Sequence, residues 1–484
     1  MNWLFGPRRN PLHQSGTLAV LSLVVALVTG IYLLIFYRVG APFESVLALH
    51  DQVLLGRWVR ALHRYSSDLA VVATLLHALK MLLARRTWGP RTVAWITGVL
   101  LFLAVLFIGL TGFVMVWDTQ ALAVVQGLFR LLDPLPVFSE PPGRMISGAE
   151  PMSNGFFFAV MFLHVATPLG AAGLVYLHLS RLARPLLFPP RELTRLALVA
   201  LVLFSMAVPL SRPEAADVFS LQGPVPLDLY YGFWIPVQGW LGAWPATALL
   251  GAVSLLSLLV PWTVRPGQRP APSRVDERLC TGCTQCVQDC PFDALSMVER
   301  VGPGSAVVAR VNPDACVSCG ICAGSCAPMG VGPPGRTGRD QLREVEEWVT
   351  ADSPAPGEVA VLACGNAIAG LEPGWRQLGC AGSLHTSVIE YLLRRGFAGV
   401  MVLSCPERDC RHREGPKWLE QRVYHDREAE LQARVDRRRV RLLAVSPSET
   451  RRVRAALALF RRQLASLEEV AAEPHPLVEV TCDV

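Results

Sequence analysis

Apolar side chains dominate the first 262 residues in long uninterrupted runs and then give way to short, punctuated ones. Runs of that length are read as membrane spans. Six are expected, at roughly 15–37, 58–84, 92–116, 156–183, 194–210 and 233–262. The first run, about Leu18 to Phe36, is long enough to span and lacks a small-residue cleavage site, so it is expected to stay as a helix. After Trp262 the pattern changes to brief apolar strands (Val359–Leu362, Gly399–Leu403, Val440–Val445) alternating with helical stretches near 384–395, 416–435 and 448–466. That alternation predicts a small α/β domain with a parallel sheet.

Charge follows the same division. Residues 1–262 carry 28 charged side chains and residues 263–484 carry 56. The first part is therefore expected in lipid and the second in water. Arginines alternate between the two ends of the spans. One end holds Arg8, Arg9, Arg85, Arg86, Arg91, Arg181, Arg184, Arg191, Arg195, Arg265, Arg269 and Arg274; the other holds Arg38, Arg57, Arg60, Arg130, Arg144 and Arg212. The positive-inside rule then predicts both termini, and everything after Trp262, in the cytoplasm. A multi-pass protein of a bacterial or archaeal cytoplasmic membrane is expected. The net charge of +6 is modest and follows from that topology, so no nucleic-acid partner is inferred.

Within the apolar half, His63 and His77 share one span and His164 and His178 another, each pair 14 residues apart. Fourteen residues advance a helix by about 21 Å with a phase drift of only about 40°. Each helix thus presents two imidazoles on one face, near opposite sides of a bilayer. A single histidine there could simply join two helices by a hydrogen bond. Two equal pairs point to ligands of two stacked haems, because ionisable groups in lipid are costly and mark function. Gly16 and Gly30, and Gly98 and Gly112, repeat the same spacing and read as small residues that leave room for the macrocycles.

These residues carry a resemblance. The run Gly56-Arg57-Trp58-Val59-Arg60-Ala61-Leu62-His63-Arg64-Tyr65-Ser66, with His77, Trp95-Ile96-Thr97-Gly98 and Gly112-Phe113-Val114-Met115-Val116-Trp117-Asp118, is similar to cytochrome b of bc-type complexes. It covers residues 10–184 well and 190–262 weakly. The resemblance implies haem b pairs His63–His164 on the outward side and His77–His178 on the cytoplasmic side. It makes Arg60 and Arg64 candidates for haem propionates, with anchoring at the membrane edge as the alternative. It also implies a homodimer. The family's quinol-oxidising signature, Pro-Glu-Trp-Tyr, is replaced by Asp228-Leu229-Tyr230 after Pro224, Pro226 and Leu227. Asp228 and Tyr230 are therefore weak quinone-site candidates, and a loop-capping role for Asp228 is the competing one.

All 13 cysteines lie at or beyond Cys280, two or three residues apart where they cluster, which suits metal rather than disulfides. Cys280-x2-Cys283-x2-Cys286-x3-Cys290-Pro291 is followed by Cys316-x2-Cys319-x2-Cys322-x3-Cys326. This doubled run is the two-cluster ferredoxin pattern, in which the fourth cysteine crosses to the other cluster. It predicts one [4Fe–4S] on Cys280, Cys283, Cys286 and Cys326 and another on Cys316, Cys319, Cys322 and Cys290. Zinc is the competing reading of such pairs. The slight departure is Ala327 before Pro328.

Cys364, Cys380, Cys405 and Cys410 follow predicted strands, and loops at the carboxyl ends of parallel strands converge. A metal site is expected there, with buried structural thiols as the alternative. Ala363-Cys364, Gly379-Cys380-Ala381-Gly382 and Cys405-Pro406-Glu407-Arg408-Asp409-Cys410 resemble the small iron–sulfur subunit of methyl-viologen-reducing hydrogenase, over 358–466. That resemblance implies a [2Fe–2S] on these four. It usually brings a further cysteine soon after the first, which this sequence lacks. His412 and His425 are expected to be solvated or structural, the basic stretch Arg434–Arg441 an exposed face with a docking surface as the alternative, and Cys482 a free exposed thiol.

The expected chain is multi-domain: an all-α transmembrane bundle of six helices over 1–262, a linker at 263–276, an α+β ferredoxin over 277–330, a linker at 331–357 and a small α/β domain over 358–484. Neither Gly-x-Gly-x-x-Gly nor a P-loop occurs, so no substrate-oxidising site is expected. The expected role is a membrane conduit for electrons between a quinone pool and a soluble cytoplasmic dehydrogenase or reductase. The alternatives are a bc-type quinol oxidase with a Rieske partner, and an anchor whose last domain is a cluster-free docking module.

Overall fold

The computed structural model describes residues 10–84, 86–144, 152–180, 185–217, 225–226, 228–264, 270–407 and 409–472. Arg8, Arg9, Arg85, Arg181, Arg184, Pro224, Leu227, Arg265, Arg269, Arg408 and Cys482, named above, lie outside them. The chain divides into two units, one spanning Arg9–Pro266 and the other containing Gly267–Val484.

The first unit is helical. Its long helices are α1 (Ser15–Phe36), α3 (Gly56–Leu83), α4 (Thr92–Val116), α6 (Asn154–Ser180), α7 (Arg191–Ala207) and α9 (Ala243–Thr263). Short helices α2 (Pro42–Asp51), α5 (Thr119–Leu132) and α8 (Trp234–Leu241) lie between them. Among the described residues, five are long and apolar enough to cross a membrane: α1, α3, α4, α6 and α9. The bounds of two expected spans differ. The fifth is only 17 residues long, with Arg191, Glu192 and Arg195 in its first turns. The sixth is broken at Gly242, whose φ of +88° lies where glycine alone is comfortable, so α8 and α9 are separate. α1 packs along α3 and α4 along α6, which aligns the four histidine-facing helices. Asp118 caps α5 by accepting from Ala121 N at 2.9 Å.

The second unit starts with a cysteine-rich module built from two similar halves. β1 (Arg274–Val275) pairs antiparallel with β4 (Val331–Gly332), and β2 (Leu295–Glu299) with β3 (Val307–Val311). One-turn helices α10 (Gln285–Gln288) and α11 (Ile321–Gly324) carry the middle cysteines. The stretch expected as a linker at 331–357 instead contains α12 (Gly338–Ala351), opened by a reciprocal capping box between Thr337 and Asp340. Its Val345, Trp348 and Val349 are buried in the core of the α/β domain.

That domain is a four-stranded parallel sheet in the order β6 (Arg376–Leu378), β5 (Val359–Cys364), β7 (Gly399–Ser404), β8 (Val440–Ala444). β5 and β7 are buried throughout and read as continuous apolar runs, as parallel strands covered on both faces do. Helices α13 (Thr386–Arg394), α14 (Gly415–Tyr424) and α15 (Thr450–Ala472) accompany it. The helix expected over 416–435 stops at Tyr424, because Asp426 and Ala429 adopt positive φ.

Candidate functional site

In the helical unit, α3 and α6 bring His63 opposite His164 with ring centroids 6.4 Å apart, and His77 opposite His178 at 6.5 Å. A metal held between two facing imidazoles by bonds of about 2 Å needs centroids roughly 6 Å apart. Both pairs have that gap. The second nitrogens fix the tautomer. Nδ1 of His63 meets the Ala26 carbonyl at 2.9 Å, and Nδ1 of His164 meets that of Ile108 at 2.9 Å. A carbonyl only accepts, so both Nδ1 atoms carry the proton and both Nε2 atoms keep a lone pair for a metal.

A hydroxyl reinforces three of the four rings. Thr29 Oγ1 lies 3.0 Å from His63 Nδ1, Thr97 Oγ1 3.1 Å from His178 Nδ1 and Thr111 Oγ1 3.2 Å from His164 Nδ1. Each threonine donates its own proton back along its helix, to Val25, Val93 and Phe107 carbonyls respectively, and so accepts from the ring. Each stands immediately before one of the repeated glycines. Ser15 holds the equivalent place before Gly16, and its buried Oγ has no hydrogen-bond partner among the described residues. This hydroxyl–glycine doublet, repeated every 14 residues in α1 and α4, was readable in the sequence and went unread.

The arginine candidates have other partners. Arg64 Nε donates to both oxygens of Asp68 at 3.0 and 3.1 Å, its Nη2 pairs with Asp228, and its guanidinium lies 4.2 Å over Phe113. Arg60 Nη1 lies 3.2 Å from His50 Nδ1 and 3.3 Å from the Ser211 carbonyl. Asp228 Oδ1 accepts from the Tyr230 and Tyr231 amides at 2.8 and 2.7 Å. Both of its oxygens are thus engaged, and the capping role is the one the geometry carries. The Tyr231 hydroxyl meets Ser67 Oγ at 2.6 Å. A separate cleft between α5 and α8 is lined by Gln126, Arg130, Asp133, Ile235 and Gln238; of these the sequence analysis named only Arg130, and only as a charge at the end of a span.

In the cysteine-rich module, Cys280, Cys283, Cys286 and Cys326 line one cavity with Val275, Met297, Ala309 and Val331. Cys319 has Cys322, Cys290 and Cys316 around it. The fourth cysteine of each run thus sits with the other run. Backbone amides point at the sulfurs: Ala294 N to Cys290 Sγ at 3.3 Å, Gly330 N to Cys326 Sγ at 3.2 Å and Ser273 N to Cys316 Sγ at 3.4 Å. Among the described residues no three His, Cys, Asp or Glu side chains are set to hold a single metal ion. Burial pushes the Cys286 and Cys319 thiols up and that of Cys322 to about 12, so thiolates there depend on a bound cation.

Cys364, at the end of β5, and Cys405, just past β7, are 3.7 Å apart through their sulfurs. Cys405 and Cys380 each hydrogen-bond Cys410, which links all four thiols in one buried group. The Cys405 thiol donating to Cys364 pulls the latter down to about 6 and raises Cys405. His425 is exposed. In the basic stretch, Arg434 pairs with Glu390, Arg437 with Asp426 and Arg438 with Asp436, and Arg439 donates to the Ala398 and Phe397 carbonyls.

Sequence reasoning also missed two buried groups next to these cysteines. His385 Nε2 lies 3.1 Å from the Cys326 carbonyl and its Nδ1 accepts from Ser387 N, while burial lowers its pKa to about 4. Arg422 is fully buried, and desolvation lowers its pKa to about 10 against the opposing pull of Asp289.

This arrangement defines a membrane electron-transfer protein carrying haem b and 4Fe–4S centres. Comparison with known families agrees, region by region. Residues 6–185 match cytochrome b/b6/petB, residues 279–330 match the 4Fe–4S dicluster domain, and residues 375–468 match the methyl-viologen-reducing hydrogenase delta subunit. The chain therefore joins a cytochrome b/b6 domain, a dicluster domain and a hydrogenase delta-subunit domain. It is 27% identical over 190 residues to the menaquinol:cytochrome c reductase cytochrome b subunit of Geobacillus thermodenitrificans, covering 36% of this chain and 83% of that one. It is 27% identical over 160 residues to cytochrome b6 of Synechococcus sp. (strain JA-3-3Ab), 33% of this chain and 74% of the other. A solved chain of a hyperthermophilic respiratory Complex III aligns with a TM-score of 0.44 at 16% identity, over 52% of this chain and 75% of that chain.

Proposed function

We propose that this protein passes electrons between a membrane quinone/quinol and a soluble cytoplasmic redox partner, a dehydrogenase or reductase. The observation that carries the proposal is the pairing of imidazoles at 6.4 and 6.5 Å in a chain that also holds a dicluster module and a four-thiol group. His63 and His164 would hold the outward haem b, and His77 and His178 the cytoplasmic one. Gly16, Gly30, Gly98 and Gly112 would seat those imidazoles. Cys280, Cys283, Cys286 and Cys326 would hold one [4Fe–4S], Cys316, Cys319, Cys322 and Cys290 the other, and Cys364, Cys380, Cys405 and Cys410 a [2Fe–2S]. Such groups supply one-electron chemistry; the protein's part is to hold them in sequence and exclude water.

In this reading residues 1–262 are the membrane domain, 277–330 the ferredoxin and 358–484 the last redox domain, with both termini cytoplasmic. The cleft beside Gln126, Arg130 and Gln238 offers an amphiphilic ring hydrogen-bond partners and is a better quinone candidate than Asp228 and Tyr230, because Asp228 is already committed. Freezing the purified protein after partial reduction tests the proposal. Both b-haem and iron–sulfur signals are expected, and a protein lacking either would refute it. The bc-type alternative predicts that outward-site quinone analogues inhibit and that a Rieske protein is needed.

A further inference from the structure

Two buried charges join the cysteine-rich module to the α/β domain. Arg422, in α14, donates from Nη1 to Ser325 Oγ at 3.0 Å and from Nη2 to the Gly382 carbonyl at 2.8 Å, and lies 3.7 Å from Asp289 Oδ2. Asp289 is 1% exposed and also accepts from Ser325 Oγ at 2.6 Å and from Arg427 Nη2 at 2.6 Å. Removing such charges from water is costly, and apolar packing could close a seam more cheaply. What the charges add is position. Asp289 precedes Cys290 and Ser325 precedes Cys326, the two cysteines that cross between runs. Gly382 follows Cys380 by two residues.

The seam is also asymmetric. Cys319 and Cys380 pack with Ile321 and Trp418 in one buried patch, and Gly320 is so close to Ser383 that a Cβ there would stand 2.9 Å from it. Among the described residues, the cavity of Cys280, Cys283, Cys286 and Cys326 is lined by residues between Val275 and Val331, with none from the α/β domain.

We propose that the four-thiol site of the α/β domain exchanges electrons with the Cys290/Cys316/Cys319/Cys322 site and not directly with the Cys280 site, and that Arg422 is the positioning residue that holds this order. The inference rests on the reading that Cys364, Cys380, Cys405 and Cys410 hold a cluster. The step moves one electron: one site is oxidised as the other is reduced, no bond changes, and the soluble redox partner supplies or takes up the electron at the C-terminal site.

Full-length protein in detergent tests it by paramagnetic resonance. Reduction of a neighbouring cluster should speed relaxation of the C-terminal signal. That enhancement should survive in Cys283→Ser and vanish in Cys319→Ser. Arg422→Met should lose most of it at unchanged iron content, and Arg422→Lys should restore part. Dependence on Cys283 instead of Cys319 overturns the proposed order. An enhancement untouched in Arg422→Met overturns the role of Arg422. If Arg422→Met does not fold, the two cysteine variants still decide the order. An iron content of only about eight non-haem irons per chain removes the cluster reading itself, and is scored by iron analysis before any resonance measurement.

Discussion

Gly112 abuts the imidazole of His164 so closely that a Cβ on it would stand 2.8 Å from Cε1. The same relation holds for Gly16 with His77 at 2.9 Å, Gly30 with His63 at 3.1 Å and Gly98 with His178 at 3.3 Å. The repeated glycines therefore let each ring lie against the neighbouring backbone, where Nδ1 of His63, His164 and His178 finds its carbonyl or hydroxyl. This gives the glycines a seating role beside the expected one of leaving room for a macrocycle, and it ties their spacing to the histidine spacing.

Gly112→Ala should accordingly push His164 off its acceptors and empty one haem site. A pyridine haemochrome assay should fall from about two haems per chain towards one, with Gly16→Ala similar and Gly98→Ala milder. Gly173→Ala, in the same helix as His164 but with open space at its Cβ position, should keep both haems. Equal losses in all variants would mean that helix packing, and not ring seating, fixes the glycines.

The hydroxyl partners should matter less, because the Ile108 carbonyl still holds His164 when Thr111 is replaced. Thr111→Val keeps the shape and removes one acceptor, at a cost of about 1 kcal/mol. Ser15→Ala removes a buried Oγ without a partner among the described residues and should change stability by less than about 0.5 kcal/mol. Haem retention across a denaturant series separates the two.

Asp228 caps a turn and neutralises Arg64, so its two substitutions should differ. Asn can still accept the Tyr230 and Tyr231 amides and loses only the ion pair; Ala loses both. Quinol-dependent electron transfer should fall by no more than roughly threefold in Asp228→Asn, under about 1 kcal/mol in the barrier, while Asp228→Ala loses thermal stability as well. Abolished turnover in Asp228→Asn with both haems retained would favour the bc-type alternative.

Legibility in the sequence followed the strength of the local pattern. The histidine pairs, the doubled cysteine run and the parallel strands β5, β7 and β8 were legible, because ligand spacing and fully buried apolar runs leave few alternatives. The three-residue edge strand β6, with Arg376 and Gln377 exposed, has no such pattern. Helix α12 was masked by its charge: only Leu342, Val345, Trp348 and Val349 face the core, between acidic and basic neighbours and behind a Gly/Pro-rich joint. The Arg422–Asp289 contact joins residues 133 positions apart, beyond any local signal. Trp348→Ala should cost about 3–5 kcal/mol and Thr337→Ala about 1 kcal/mol in thermal unfolding of the full chain. A negligible effect of Trp348→Ala would return α12 to the status of a linker.

The last domain supplies the sharpest count. Its four thiols are connected in one buried group, with Cys410 hydrogen-bonded to both Cys405 and Cys380. If they hold a two-iron centre beside two four-iron centres, the wild-type chain carries about 10 non-haem irons, and Cys410→Ser should reduce that to about 8 while both haems and the dicluster signals persist. A wild-type count already near 8, unchanged in Cys410→Ser, would identify the domain as a cluster-free docking module. The proximity of Cys364 and Cys405 would then predict that mild oxidation consumes two thiols there, after a shift of the sulfurs from 3.7 Å to bonding distance.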